Sequence, residues 1–440
     1  MSRAALIAHG VGGRQDLPIP FELAVLGAAL ALVVSFLILG LAWKESRYRG
    51  DDSGLPLPEA LTRAADSPRL RWTLRILGLA LAAYVTFAAV AGPDLATNPT
   101  AGVVYVLLWV GLVPASLLLG PVWRLVNPVR TVHLLLCRAL RLDPAAGVRR
   151  LPTWVGVWPA AGWLLAFTWL ELVAPDRATT PVIRAWFAVF VGVSLVGAVA
   201  FGSRWFDRAD PFEAYSTLVG RLSWLGRRRD GRLVARRPLE NLDGLPARPG
   251  LTAAVAVLLG STMYDSASAS PWWARWTQES SIGATMAGTI GLLASVALVY
   301  ATFVFAVWCA GLVAGIRSRA DAFAHSVVPI AVGYVIAHYL TLFVLEGQHT
   351  LVLLADPLGT GANWFGLGDL TENRWLANQP TLVASLQVAA IVIGHILGIV
   401  SAHDRAVRLF PARRALVAQL PLLAVMVGYT VTGLLLLFAA

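Results

Sequence analysis

Charge is scarce in this chain. Of its 440 residues 14% are Asp, Glu, Lys or Arg, against 57% apolar. A water-soluble domain carries about 25% charged and ~45–50% apolar residues. Too little polar surface is present to cover a globule of this size in water, and a lipid bilayer is the solvent that fits. Lysine is nearly missing: Lys44 stands alone beside the arginines among 35 basic residues. The net charge of +10 falls in a few segments between apolar runs. That pattern speaks for membrane topology and against a nucleic-acid face. The two cysteines, Cys137 and Cys309, lie far apart, and they give neither a disulfide framework nor a metal-type spacing. The first twenty residues have no long apolar core before Gly10, so they do not read as a signal peptide.

What is abundant is the long apolar run. Crossing ~30 Å of hydrocarbon takes ~20 residues. Ten runs qualify: Phe21–Trp43, Leu74–Gly92, Gly102–Val122, Trp154–Val173, Val182–Phe201, Leu251–Tyr264, Gly283–Val313, Ser326–Leu345, Leu382–Ala402 and Ala415–Phe438. The sixth is short for a crossing. The expected fold is an all-α, polytopic transmembrane helix bundle of about ten spans, one integral membrane domain over residues 1–440. Five helices fall in 21–201 and five in 251–440, on either side of a cytoplasmic loop over 203–250. The segments after odd-numbered spans hold 29 of the 35 basic residues. The positive-inside rule puts those segments in the cytoplasm and both termini outside, as expected of a multi-pass plasma-membrane protein.

Two of these cytoplasmic segments start helices. Asn127-Pro128-Val129-Arg130 and Asp210-Pro211-Phe212-Glu213 each offer an N-cap followed by proline at the first helical position. Glu213 also stands at the capping-box position. Phe212, Tyr215, Leu218, Val219, Leu222 and Leu225 recur at helical spacing, so both segments read as amphipathic helices on the inner membrane surface. They match each other at an offset of 83 residues, with Leu135 and Arg138 against Leu218 and Arg221. Arg319-Ala320-Asp321-Ala322-Phe323 is a third echo. The pattern points to a repeated unit of helical hairpin plus surface helix. The charged stretch Arg227–Pro249 reads as a mobile loop. Glu346 ends the eighth span and opens an outer segment running to Pro380, long enough to fold over the outer face.

Histidine is also rare, with seven in the chain. His338 and His395 fall within spans, where an ionisable side chain must find a partner and is a functional candidate. Each sits beside a small-xxx-small pair, Gly333/Ala337 and Gly394/Gly398, which lets two helices approach closely. Their expected depths differ by ~10 Å at ~1.5 Å of rise per residue. At the outer side, Asp265, His338 and Glu346 are candidate catalytic groups. His9, Asp265, His338 and His349 are candidate ligands for zinc or a similar divalent cation with a water position left open. No His-Glu-x-x-His is present. His338 and His349 share a helix face ~16 Å apart, so both reach one ion only if the helix breaks near Gly347. Glu171 near the outer end of the fourth span, His395, and the helix-end pair His403 and Asp404 complete the polar set.

Several segments resemble the multi-pass membrane proteins of actinobacteria labelled fenitrothion hydrolase-like. They are His9 to Pro20, Trp123 with Asn127 to Thr131, Asp210 to Glu213, Gly260-Ser261-Thr262-Met263-Tyr264-Asp265, and Ala402 to Ala406. The resemblance covers most of the chain. It implies a many-helix membrane architecture and hydrolysis of an organophosphate triester, and it assigns no catalytic residue. Three functional readings stay open. One is a metal-assisted hydrolase of apolar esters with an outward-facing site. Another is a proton-coupled transporter or permease using His338, His395 and Glu171. The last is a non-catalytic subunit docking other membrane proteins. The partner common to all three is the lipid bilayer, not nucleic acid.

Overall fold

The computed structural model describes residues 13 to 438. It is all-α in character, 73% helical. In chain order the helices are α1 (Phe21–Ala42), α2 (Glu59–Asp66), α3 (Pro68–Ala91), α4 (Thr100–Leu119), α5 (Trp123–Val126), α6 (Pro128–Ala139), α7 (Trp158–Leu172), α8 (Thr180–Phe201) and α9 (Phe206–Ala209). They continue as α10 (Pro211–Gly220), α11 (Pro238–Asp243), α12 (Leu251–Ser268), α13 (Pro271–Glu279), α14 (Ala284–Ala314), α15 (Ala320–Phe323), α16 (Val328–Leu353), α17 (Pro380–Leu409) and α18 (Leu420–Leu437). Three short strands, β1 (Leu55–Pro56), β2 (Leu225–Arg227) and β3 (Leu233–Ala235), make an antiparallel sheet in the order β1-β3-β2.

Among the described residues nine helices are long and apolar enough to cross a membrane: α1, α3, α4, α7, α8, α14, α15 with α16, α17 and α18, with short flanking turns. The chain is a multi-pass membrane protein. The sixth expected run does form a helix, α12, but it stands outside the nine. Its second half carries Ser261, Thr262, Asp265, Ser266 and Ser268. Most of its side chains are nonetheless buried. A helix apolar at one end and polar at the other is tolerated at depth when other helices enclose it.

The chain divides into two compact units. One comprises Leu242–Val344 and Arg374–Ala440 with the N-terminal segment up to Gly50. In it α12 lies along α14, and a Cβ at Gly260 would stand 2.6 Å from the Val296 Cα. Helix α16 lies against α17 through the expected small residues. A Cβ at Gly333 would collide with the Ala390 carbonyl, and one at Gly394 would stand 2.6 Å from the Pro329 carbonyl oxygen. Asp321 accepts from the Thr252 backbone N–H (3.1 Å) and hydroxyl (2.8 Å), fixing the start of α12.

The second unit, Asp51–Asn241 with Leu345–Asn373, is built from α3, α4, α7 and α8 and two short returning hairpins. After α4 the chain reverses at Gly120 (φ +79°), runs through α5 and re-emerges as α6. After α8 it reverses at Gly202 (φ +72°), runs through α9 and re-emerges as α10. Both re-emerging helices are capped as their sequences demand: Asn127 accepts from Arg130 N (3.1 Å) and Asp210 from Glu213 N (2.8 Å). The hairpins reach among the spans. The Val126 backbone lies against Gly78, midway along α3. The Phe212 ring packs on Phe167 (5.1 Å) and Phe190 (6.1 Å), and Tyr215 on Trp109 (4.5 Å).

The 83-residue correspondence appears here as direct contact between equivalent positions. Asn127 Nδ2 donates to Asp210 (2.8 Å), and the Arg130 guanidinium donates to both Glu213 oxygens (2.9 Å). Arg130 also holds Asp207 (2.8 Å). The third echo does not join this pattern, since Asp321 bonds Thr252 instead.

Three expectations are corrected. Helix α10 is not an amphipathic helix resting on a membrane surface; Phe212, Glu213, Tyr215, Ser216, Leu218 and Val219 are all buried. Its apolar stripe is covered by span aromatics rather than lipid. Helix α6 buries Arg130, Thr131 and His133 while Leu135 and Leu136 stay exposed. The stretch expected to be mobile over 227–249 begins as a β-hairpin, β2 and β3, pinned by Arg236. That buried guanidinium donates to Asp51 (3.2 Å), Asn241 (3.1 Å), and the Ser53 (3.1 Å) and Arg227 (3.0 Å) carbonyls. On the same unit's surface, Arg227 holds the Asp66 carboxyl below its usual range. Helix α16 does not stop at Leu345 but continues through Glu346 to Leu353.

Removing one member of a buried ion pair strands the other, at a cost of about 3–5 kcal/mol. Arg130→Ala is therefore expected to lower unfolding stability in detergent by about that amount. A loss below about 1 kcal/mol contradicts the pairing.

Candidate functional site

The polar end of α12 and one face of α16, both in the first unit, build the site. Asp265 and Ser266 are consecutive on α12, and Tyr334, His338 and Tyr339 follow at i, i+4 and i+5 on α16. His338 Nε2 lies 2.8 Å from Asp265 Oδ2, and the Tyr339 hydroxyl donates to the same oxygen at 2.6 Å. On the other side of the ring, His338 Nδ1 meets the Ser266 hydroxyl at 3.2 Å. Tyr334 in turn donates to Ser266 Oγ (3.0 Å) and approaches the Gly433 carbonyl of α18 (3.4 Å). The Tyr334 ring lies parallel to the imidazole and the Tyr339 ring meets it edge-on. Gly433 is needed at that contact, because a Cβ there would stand 2.8 Å from the Tyr334 ring.

One assignment of protons satisfies every member. Tyr334 donates to Ser266, Ser266 to His338 Nδ1, His338 Nε2–H to Asp265, and Tyr339 to Asp265. The chain is therefore directed toward the carboxylate, and reversing it moves a proton from one end to the other. The Asp265 and His338 side chains keep 14% and 11% of their surface exposed, while Ser266 is 1% exposed. The carboxylate–imidazole end is the open one.

Of the remaining candidates, His9 lies outside the described residues. Glu346 sits half-buried in the part of α16 that belongs to the second unit, its carbonyl accepting from Thr350 (2.7 Å). His349, also in that unit, is exposed and pairs with Glu372 (2.8 Å). Glu171 is half-buried on α7. His395 is buried and bonds the Ile391 carbonyl through Nδ1 (2.8 Å). His403 meets the Gln419 side-chain oxygen (2.9 Å) through Nδ1 and the Trp43 carbonyl (2.9 Å) through Nε2. Gln419 spends its amide on the Ala415 carbonyl (2.6 Å), so both His403 partners are acceptors. Asp404 accepts from Trp43 Nε1, Ser46, Arg47 N and Arg408, tying the segment after α1 to α17.

Among the described residues no three His, Cys, Asp or Glu side chains stand close enough to share a metal ion. A cation at His338 would have to displace Asp265 or Ser266 from a ring nitrogen. The expected zinc set is thus gathered only as far as the Asp265–His338 pair. The sequence reading missed Ser266, Tyr334 and Tyr339. Their signal was adjacency: one residue from Asp265, and one turn before and one residue after His338.

No family model, curated protein or solved structure matches the chain. The membrane assignment rests on the nine spans, and activity has to be argued from the Asp265–His338 geometry.

A hydrogen bond to a charged group contributes about 1.5–3 kcal/mol. Tyr339→Phe should lower stability in detergent by about that much, read as a drop in the unfolding midpoint. An unchanged midpoint contradicts the bond.

Proposed function

We propose that this chain is a proton-coupled permease of the plasma membrane, with Asp265 and His338 as its proton-binding pair. The observation that carries this reading is the directed hydrogen-bond chain from Tyr334 through Ser266 and His338 to Asp265. Ionisable groups inside a helix bundle are characteristic of proton relays and substrate paths. A carboxylate sharing one proton with an imidazole at 2.8 Å is a site that loads and unloads without large rearrangement. The charge asymmetry supports an outer position for it. With 29 of the 35 basic residues in the segments after odd-numbered spans, the positive-inside rule supports a cytoplasmic side for those segments and a tenth crossing by α12. Asp265, near the C-terminal end of α12, then faces the outer side.

A second reading is favoured by one feature. The order Ser266, His338, Asp265 is that of a nucleophile, its base and the group orienting the base. Together with the resemblance to fenitrothion hydrolase-like proteins, it supports ester hydrolysis. The burial of Ser266 Oγ ranks it second, because no ester reaches that oxygen in this conformation.

The two are separated in proteoliposomes carrying an imposed proton gradient. A panel of labelled amino acids, sugars and carboxylates is tested for uptake, and diethyl p-nitrophenyl phosphate for hydrolysis. The permease reading predicts uptake that a protonophore collapses. It should fall at least tenfold in Asp265→Asn and His338→Ala. Triester turnover abolished by Ser266→Ala, with no gradient-driven uptake, overturns it.

A further inference from the structure

Besides Arg405 Nε, whose guanidinium bonds Ala322 and Asp243 through its other nitrogens, the described residues of the first unit hold four buried polar side-chain atoms without a hydrogen-bond partner that the Asp265–His338 site does not use. They are Gln387 Oε1, His395 Nε2 and Ser401 Oγ on α17, and His325 Nε2 just before α16. Each of these residues is at most 3% exposed. Buried polar atoms in proteins are nearly always paired, with protein or with ordered water. Four unpaired ones in a single membrane-embedded unit therefore ask for a common partner.

Their order is set by the packing of α16 on α17. The helices run in opposite directions, with Gly333 against Ala390 and Gly394, Gly394 against Pro329, and Gly398 against Ser326. Extrapolating that register puts Gln387 level with His338. His395 lies ~12 Å farther along α17, and Ser401 ~9 Å beyond it, at ~1.5 Å per residue. His325 neighbours Ser401 across the seam. His403 and Asp404 follow within one turn. On α17 the three unpaired groups fall within an arc of roughly 120° at about 100° per residue, the side turned into the unit. Ile393, on the other side of the helix, is 55% exposed. A step of ~12 Å takes about three bridging waters at ~2.8 Å per hydrogen bond.

We propose that the buried face of α17, alongside its close-packed glycine seam with α16, is a hydrated proton path, with His395 as its midway relay, joining the Asp265–His338 pair to His403 and Asp404 at the opposite end of the unit. Water is the ligand, and the unpaired atoms are the groups that hold it. A proton arriving at His395 Nε2 leaves by the next water. The Ile391 carbonyl occupies Nδ1, which leaves Nε2 as the nitrogen that exchanges the proton. No bond other than those to the proton is made or broken. The path rests on reading Asp265–His338 as a proton-binding pair, and it adds where the proton goes next.

The test uses the full-length protein in liposomes with Cys137 and Cys309 replaced by serine. A small water-soluble methanethiosulfonate reagent is applied to His395→Cys and Ile393→Cys. In parallel, proton influx driven by a valinomycin potassium potential is followed with a trapped pH dye. The path predicts rapid modification of His395→Cys and none of Ile393→Cys. It also predicts influx above that of protein-free liposomes, reduced at least tenfold by His395→Phe. Ser401→Ala, a smaller change, should slow it at least threefold if His395→Phe does not fold. The proposal is overturned if His395→Cys is as inert as Ile393→Cys, or if influx does not exceed that of protein-free liposomes. Influx at the native rate in every folded variant overturns it equally. Uptake that is lost in Asp265→Asn while His395→Cys stays inert overturns the path alone and leaves the proton-binding pair standing.

Discussion

A polar group removed from water must find its partner inside the protein, and in hydrocarbon there is no other source. That constraint organises both units of this chain. In the second unit it pairs Asn127 with Asp210 and Arg130 with Glu213 and Asp207 at the tips of two hairpins set among the spans. In the first it joins Asp265, His338, Ser266 and the two tyrosines into one hydrogen-bonded chain. It also closes Asp404 with five donors at the end of α17. Such networks carry little net stability compared with an apolar core of the same volume. What they do is fix one arrangement, since any shift in register would leave a charge stranded.

The hairpins of the second unit show how far that fixing goes. Asn127 and Asp210 stand at equivalent positions of a unit repeated 83 residues apart, as do Arg130 and Glu213, and each meets its own equivalent. This is the contact pattern of a two-fold interface, in which residue i meets j and j meets i, here within one chain. The chemistry is complementary where strict symmetry would oppose like groups. Amide faces carboxylate at one position and guanidinium faces carboxylate at the other.

Much of this was legible in the sequence. The apolar runs located the spans because ~20 residues is a length set by the bilayer. The Asn-Pro and Asp-Pro caps located α6 and α10 because those residue types satisfy a helix start. Asp265 and His338 stood out as ionisable groups in apolar surroundings. What could not be read was the company each element keeps. The stripe of Phe212, Tyr215 and Leu218 has the same spacing whether it faces lipid or Phe167, Phe190 and Trp109, and it faces the aromatics. Glu346 looked like a helix stop, but one half-buried carboxylate does not end a helix whose backbone bonds continue. Ser266, Tyr334 and Tyr339 are ordinary residues until α12 and α16 are brought together.

The account turns on Asp265 carrying a labile proton within a membrane-embedded bundle. Infrared difference spectroscopy of the protein in lipid, between alkaline and acidic buffer, tests this most directly. The account predicts a protonated-carboxyl band that appears on acidification in the native protein and is missing in Asp265→Asn. Identical difference spectra for the two proteins would contradict it.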